Sequence, residues 1–270
     1  DPEKLFSFIN KNKNKIKAVI HLGAISSTSE SNLSLLLKNN LYYSEKLFNI
    51  TNKYGIKFIY ASSASTYGDG QAGFSDKNTL MNFIKLKPIN FYGLSKHLFD
   101  LKVLEQLSSK QIVDSFPIGL KFFNVYGPHE MHKGFMMSPI PKFYSEIKAN
   151  GYLKLFKSHN PNYQNGMQSR DFIYVKDCVE IIKWFLKKRK KKGIYNVGTG
   201  KSETFLKLSS IIFQNVGVKE NIKYINTPKK IREGYQYMTR ADIKNLRSAG
   251  FTKKFTSLSS GVNDYINNYL

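Results

Sequence analysis

Apolar runs of strand length, each ending in small or polar residues, punctuate the first two hundred positions. They read KAVIHLGA (17–24), KFIYASS (57–63), GLKFFNVYG (119–127) and GIYNVGTG (193–200), and their density of β-branched and aromatic residues predicts buried strands. Between the first two, 32–54 carries Leu33, Leu36, Leu37, Leu41 and Leu47 at helical spacing, and between the next two, 92–106 carries Leu94, Leu98, Leu101 and Leu104. A third helical pattern, Val179, Ile182, Trp184 and Phe185, leads into the basic run 187–192, with Gly193 as its predicted stop. Strands alternating with long helices predict an α/β fold with a parallel, right-handed sheet. Pro139, Pro141 and the stretch 158–166 predict irregular connections, and the weaker alternation of the last third predicts a smaller second lobe.

Ligands of such sheets bind beyond the carboxyl ends of the strands. Those ends read HLGAISST (21–28), ASSASTYG (61–68) and FNVYGP (123–128). GDGQAG (68–73) follows a strand but opens no helix, so it reads as a loop.

Composition adds limits. In 270 residues there is one cysteine, Cys178, so no internal disulfide framework exists, which suits a reducing compartment such as the cytoplasm. No apolar run approaches the roughly 18 residues of a membrane span, and no membrane partner is expected. The net charge of +23 invites a nucleic-acid reading, but the lysines are scattered among asparagines and isoleucines rather than clustered, so no nucleic-acid partner is expected. The opening DPEKLFSFINKNKNK has neither an initiator Met nor a signal-peptide core and reads as the interior of a longer protein.

NFYGLSKHLFD (90–100) places Tyr92 and Lys96 one helical turn apart. Spacing alone proves little, since Tyr42/Lys46 and Tyr144/Lys148 share it. Ser62 and Ser63, however, close a strand 29 residues before Tyr92, and neither decoy has such a strand-end serine. A serine that holds a substrate oxygen, a tyrosine that exchanges a proton with it and an ammonium that lowers the phenol pKa are equipment for oxidising an alcohol while a nicotinamide takes the hydride.

ASSASTYG, YGLSK and FFNVYGP together resemble the extended short-chain dehydrogenase/reductase family, whose members epimerise or dehydrate nucleotide sugars. HLGAISSTSE, NVYGPHEMHKGFM, RDFIYVKDC, YNVGTGKSETF and GYQYMTRADIKNLRSAGF extend the resemblance over nearly the whole chain, toward the branch that inverts C6 of an ADP-linked heptose for lipopolysaccharide core. The resemblance implies a Rossmann-like doubly wound sheet lacking its first strands, with a smaller α/β lobe. Residues 1–128 and 171–200 would form a partial dinucleotide-binding lobe, and 129–170 and 201–270 a substrate-binding lobe.

It further implies Tyr92 as one acid/base, Lys96 on the nicotinamide ribose, Ser63 on the reacting hydroxyl, and Lys133 as the second proton-transfer group. Cofactor contacts would fall to Leu22, Gly23, Ala24, Ile25, Ser26, Asn39, Lys96, Val125 and Lys133. Substrate contacts would fall to Ser63, Asn124, the loop Phe156, Lys157, Ser158 and His159, Arg170 and Tyr235. The implied cofactor is NADP, with NAD as the alternative; the implied partners are the ADP-heptose and further copies of the chain, as a pentamer; no metal is implied.

Several residues keep plainer readings. Asn39 can also be read as a helix-surface residue, Tyr235 as a half-buried aromatic, Lys133 as a solvated lysine, His132 as a loop residue, and Arg170 with Asp171 as a structural ion pair. The sequence also departs from the family. It has no GxxGxxG turn, and by comparison with the family roughly the first fifty residues are absent; the strand at 17–24 is then expected at an exposed edge, with weak NADP binding and a tendency to aggregate. Phe135 and Lys142 stand where relatives often carry serine and histidine. A 4-epimerase or a 4,6-dehydratase of the same family is the nearest alternative, although Ala64, Ser65 and Thr66 follow the serine where a dehydratase usually carries acidic residues. A binding protein without catalysis, or a basic RNA-binding scaffold, is the alternative from another class.

Overall fold

A computed structural model of the chain describes residues 2–109, 116–188, 191–232 and 235–270. The chain divides into two compact units: Asp1–Phe122 with Ile181–Val197 and Asp242–Phe251, and Phe123–Glu180 with Gly198–Ala241 and Thr252–Leu270.

The first unit is built on a four-stranded parallel sheet in the order Ala18–His21, Lys57–Ser63, Ile118–Phe122, Gly193–Val197. Lys57–Ser63 is central, and Phe58, Ile59 and Tyr60 are buried on both its faces, as a continuous apolar run requires. Ala18–His21 stands at one edge, as expected, with Ile20 43% exposed. The helical path over 32–54 opens at Asn32, whose Oδ1 accepts the Leu35 amide at 2.9 Å, and passes through a π-helical turn, Leu37–Tyr42, into Tyr43–Lys53. Its Leu47 and Phe48 pack with Phe58, Phe99 and Val103. The helix Pro2–Asn12, which the sequence reading did not anticipate, adds Ile9 to that core.

The second unit packs the helices Pro139–Asn150, Phe205–Val216 and Leu258–Tyr269 around one core through Ile140, Ile147, Leu208, Ile212, Val262 and Tyr265. Its strands pair in twos: Asn124–Tyr126 with Phe172–Tyr174, Leu153–Phe156 with Ile222–Ile225, and Ser169–Arg170 with Glu203–Thr204.

Four expectations change. The run 119–127 is two strands, not one: Ile118–Phe122 ends in the four-stranded sheet, Phe123 breaks the ladder, and Asn124, whose amide donates to the Asp171 carbonyl at 3.0 Å, starts a pair in the other unit. Pro139 and Pro141 open a helix instead of marking a loop, because a first-turn proline sacrifices only an N–H that has no intrahelical partner. Gly193 does not stop the helix Val175–Lys187; at φ 117° it begins a strand, and Arg189 and Lys190 of the basic run lie outside the described residues. The units are also cut differently from the expected lobes. Residues 242–251 belong with the first unit, where the Asp242 carbonyl accepts Asn196 Nδ2 at 3.0 Å and Phe251 meets the Trp184 ring at 5.7 Å.

Candidate active site

In the first unit, Asn90 caps the helix Phe91–Ser108, its Oδ1 accepting the Gly93 amide at 2.7 Å, so Tyr92 and Lys96 occupy its first two turns on one face. Ser63 ends the central strand and caps the 3-10 turn Ala64–Tyr67, its Oγ accepting the Ser65 amide at 3.1 Å. The Tyr92 phenol is close enough to the Ser63 side chain for that neighbour to lower its pKa. The decoy pairs are surface features: Tyr42 is 53% exposed, and Lys148 Nζ donates to the Tyr144 hydroxyl at 3.0 Å on an exposed helix face.

Burial raises the Tyr92 pKa, opposed by Ser63 and reinforced by the Asp100 charge. Desolvation of the phenolate sets the direction at Tyr92, and Lys96 is not among the influences on it. Lys96 is itself buried, which pushes its pKa down to about 8 against the opposing pull of Asp100.

Leu22, Gly23, Ala24 and Ser26 are exposed beyond the end of the edge strand, and Ile25 is half-buried. An added Cβ at Gly23 would meet nothing within 4 Å. Asn39 turns back on its own helix, Nδ2 donating to the Leu35 carbonyl at 2.8 Å. Its neighbour Asn40, fully buried, grips the segment instead: Oδ1 accepts the Ile25 amide and Nδ2 donates to the Ile25 carbonyl, both at 2.9 Å, while Nδ2 also reaches Ser95 Oγ at 3.1 Å. Asn40 thus ties the strand end to the helix carrying Tyr92. It was missed because one asparagine of a pair cannot be chosen without the helix phase.

Asp100 and Lys121 were also missed. Both side chains are fully buried, and Lys121 Nζ lies 2.7 Å from Asp100 Oδ2. The available signal was the extra turn: Tyr92, Lys96 and Asp100 follow one another at four-residue steps.

In the second unit, Phe156 and Tyr235 line a cavity of about 460 Å³ with Met137, Phe143, Gln168 and Phe205. The Arg170 guanidinium stands 5.6 Å from the Tyr235 ring and 5.7 Å from that of Phe205, and its Nη1 donates to the Ser169 carbonyl at 2.8 Å. The ion-pair reading of Arg170 with Asp171 fails, because Asp171 accepts the amides of Thr199, Gly200 and Ala241 and the Thr199 hydroxyl. The loop Lys157, Ser158 and His159 is held by Tyr237, whose hydroxyl accepts the His159 amide at 2.9 Å and the Asn160 amide at 3.0 Å; the His159 ring meets Tyr235 at 5.6 Å. Asn124 Oδ1 accepts the Thr239 hydroxyl at 3.2 Å, Val125 pairs with Ile173 in the parallel ladder, and Lys133 is exposed on the turn Met131–Met136. None of these three lines the cavity. Among the described residues no group of three or more His, Cys, Asp or Glu is placed to hold a metal, and no helix is long and apolar enough to cross a membrane.

Residues 1–198 match the model of the NAD dependent epimerase/dehydratase family. The chain belongs to that family. Its relatives include proteins named ADP-L-glycero-D-manno-heptose-6-epimerase. That of Nitratidesulfovibrio vulgaris (strain Hildenborough) is 46% identical over 94% of this chain and 77% of its own length, and that of Fusobacterium nucleatum subsp. nucleatum is 44% identical over 96% and 79%. The crystal structure of the Helicobacter pylori ADP-L-glycero-D-manno-heptose-6-epimerase superposes with a TM-score of 0.76 at 27% identity, covering 96% of this chain and 74% of that one. The α/β fold with its parallel sheet is that of these Rossmann-type proteins.

Proposed function

We propose that the protein epimerises ADP-D-glycero-D-manno-heptose at C6, giving the L-glycero form for lipopolysaccharide core, with NADP as the nicotinamide carrier. The Ser63–Tyr92 pair, close enough to influence each other, with buried Lys96 one turn on from Tyr92, carries the reaction class. The sugar is supported by the relatives at 44–46% identity that bear the heptose enzyme's name.

The strand end fits a nicotinamide nucleotide. Residues 22–24 are exposed with open space at Gly23, and Lys96 is near enough to His21 for its charge to help lower the imidazole pKa. When bound, the nicotinamide would accept a hydride from C6 and return it. Ser63 would hold the C6 oxygen, Tyr92 would take its proton, and Lys96 would fix the ribose while keeping positive charge beside the phenol. Leu22 to Ser26 would cover the cofactor, with Asn39 and Val125 as further contacts. Inversion needs the hydride back on the opposite face of the same carbon, and one group does not easily serve both orientations of the transient ketone. Lys133 is the second proton-transfer group in this reading.

The first unit would then be the cofactor unit and the second the substrate unit. The planar Arg170 guanidinium suits a diphosphate because it can grip two oxygens at once. Asn124, Tyr235 and the loop Phe156–His159 would hold the remainder of the ADP-heptose, in a homo-oligomer. Incubation with NADP and ADP-D-glycero-D-manno-heptose, followed by proton NMR of the heptose, tests the reading. Appearance of the L-glycero isomer is expected; an unchanged C6 with NADP bound would overturn it.

A further inference from the structure

One carboxylate at the centre of the first unit touches every element that bears a residue of the Ser63–Tyr92–Lys96 set. Asp100 lies one turn beyond Lys96 on the helix Phe91–Ser108 and is fully buried. Its Oδ1 accepts the Tyr60 hydroxyl at 2.9 Å, and its Oδ2 accepts the Ser62 hydroxyl at 2.7 Å, both from the strand that ends in Ser63. Lys121, from the neighbouring strand Ile118–Phe122, pairs with Oδ2 at 2.7 Å. The same ammonium donates to Thr66 Oγ1 at 2.5 Å, and the Thr66 hydroxyl in turn donates to the Ser63 carbonyl at 2.8 Å. The rings of Phe83 and Tyr67 close over Lys121 at 4.7 and 5.0 Å.

The contacts leave little slack. A Cβ on Gly93, the residue after Tyr92, would lie 2.7 Å from the Ser65 carbonyl oxygen, so the helix and the turn beside Ser63 are in direct backbone contact. A shift of the helix along the strand has to break bonds to Asp100, and a shift of the turn has to break the chain from Lys121 through Thr66.

Stability alone is a poor reason for such a pair. Withdrawing two charges from water offsets much of their attraction, and well-packed apolar replacements of buried ion pairs are often neutral or stabilising. Apolar residues, however, could not direct hydrogen bonds to Ser62, Tyr60 and Thr66 at once.

We infer that Asp100 and Lys121 are positioning residues that set the placement of Ser63 against Tyr92. They act through the strand end, the 3-10 turn and the helix, and touch no reacting atom. The inference rests on the proposed role of Ser63 and Tyr92, so its test needs a readout separate from turnover.

The test compares the wild-type chain with Asp100→Asn, Lys121→Met and the double variant, which leaves no buried charge unpaired. Each is assayed with NADP and ADP-D-glycero-D-manno-heptose. Each is also prepared with tyrosine labelled with carbon-13 at Cζ, the Tyr92 signal being assigned through Tyr92→Phe and followed against pH. The double variant is expected to melt near the wild-type temperature, with kcat lower by roughly 10–100-fold, since a misplacement of about 1 Å is enough for the larger figure. KM should stay within about twofold, because the groups that hold the bulk of the substrate are untouched. The Tyr92 titration should move to lower pH, as removal of the Asp100 charge takes away one of the influences that raise it.

Wild-type kcat and an unshifted Tyr92 titration in a folded double variant would overturn the inference. If the wild-type chain does not convert the heptose, the proposed function fails, and the Tyr92 titration of Thr66→Val, which removes no charge, still decides the positioning role. If the double variant does not fold, Thr66→Val carries the same test, since it removes only the hydroxyl between Lys121 and the Ser63 carbonyl; unchanged kcat and Tyr92 titration there would overturn the inference equally.

Discussion

Thr199 is bound twice to Asp171, its amide and its hydroxyl donating to Oδ1 at 2.7 and 2.8 Å. The Gly200 and Ala241 amides reach Oδ2 at 2.9 and 3.0 Å. One buried carboxylate therefore joins three segments of the second unit: the strand ladder at 169–174, the loop after Val197, and the segment before Asp242. Asp171→Ala would leave backbone donors buried without acceptors. Each such donor costs about 1–3 kcal/mol, so a loss of roughly 3 kcal/mol or more is expected in urea unfolding. A loss below about 1 kcal/mol would show that water or a shifted side chain replaces the carboxylate.

The Asp171 bonds also mark the limit of what the sequence made legible. Period and strand content were enough for the four parallel strands and the long helices, because an apolar run buried on both faces and a leucine every three or four residues are local signals. The break at Phe123, the return of 242–251 to the first unit and the partner of Asp171 depend on residues tens of positions away, which no local pattern encodes. At the candidate site, Ser63, Tyr92 and Lys96 were readable because a strand end and a helix start announce themselves. Asn40, Asp100 and Lys121 were not, because a buried polar residue looks like a surface one until its partners are known.

Tyr92→Phe keeps the ring and removes only the hydroxyl, whose pKa Ser63 lowers. As positioned acid/base groups contribute typically 10²–10⁴-fold, turnover of the heptose nucleotide is expected to fall by roughly that factor. NADP binding, measured by fluorescence or calorimetry, should stay within about threefold, since the ring and Lys96 remain. Turnover within tenfold of wild type would remove Tyr92 from the acid/base role.

Lys96 is buried and held at about 8, chiefly by desolvation. Below that pH it carries the charge proposed to support the Tyr92 phenolate and the ribose; as pH rises through about 8 the ammonium is lost. Turnover should therefore decline on the alkaline side with a midpoint near 8 in the unliganded form, read from kcat/KM. Folding stability moves the other way, since between about 8 and the unfolded value of 10.5 the unfolded chain binds the extra proton, so stability rises with pH over that window. A flat alkaline limb up to pH 10 would separate Lys96 from the chemistry.

His21 is buried against Ser44, its Nε2 2.9 Å from the hydroxyl, and desolvation, helped by the Lys96 charge, lowers its pKa to about 4. His97 is lowered to about 4 as well, chiefly by burial. The unfolded chain takes up these protons near 6.5 and the folded chain only near 4, so stability is fully present above pH 6.5 and drains away as pH falls toward 4. For His21 the loss amounts to about 3 kcal/mol across that window. His21→Gln should flatten the acid side of a plot of unfolding free energy against pH. An identical slope between pH 6.5 and 4 would assign the acid sensitivity elsewhere.

Arg170 offers a sharper test of the substrate side than any deletion. Its guanidinium lies against the Tyr235 and Phe205 rings, and burial lowers its pKa while Tyr235 opposes that. Arg170→Lys keeps the charge but loses the planar face that stacks on both rings and the fork that can grip two oxygens of a diphosphate. A cation over an aromatic ring is worth about 0.5–2 kcal/mol, and a lost charge-assisted bond adds a comparable amount, so KM for the ADP-linked sugar should rise by roughly 10–100-fold. kcat should change by less than about threefold, because the substitution touches neither Ser63 nor Tyr92. Free ADP, as a competitive inhibitor, should weaken in parallel if Arg170 holds the diphosphate; weakened heptose binding with unchanged inhibition by ADP would place Arg170 on the sugar instead.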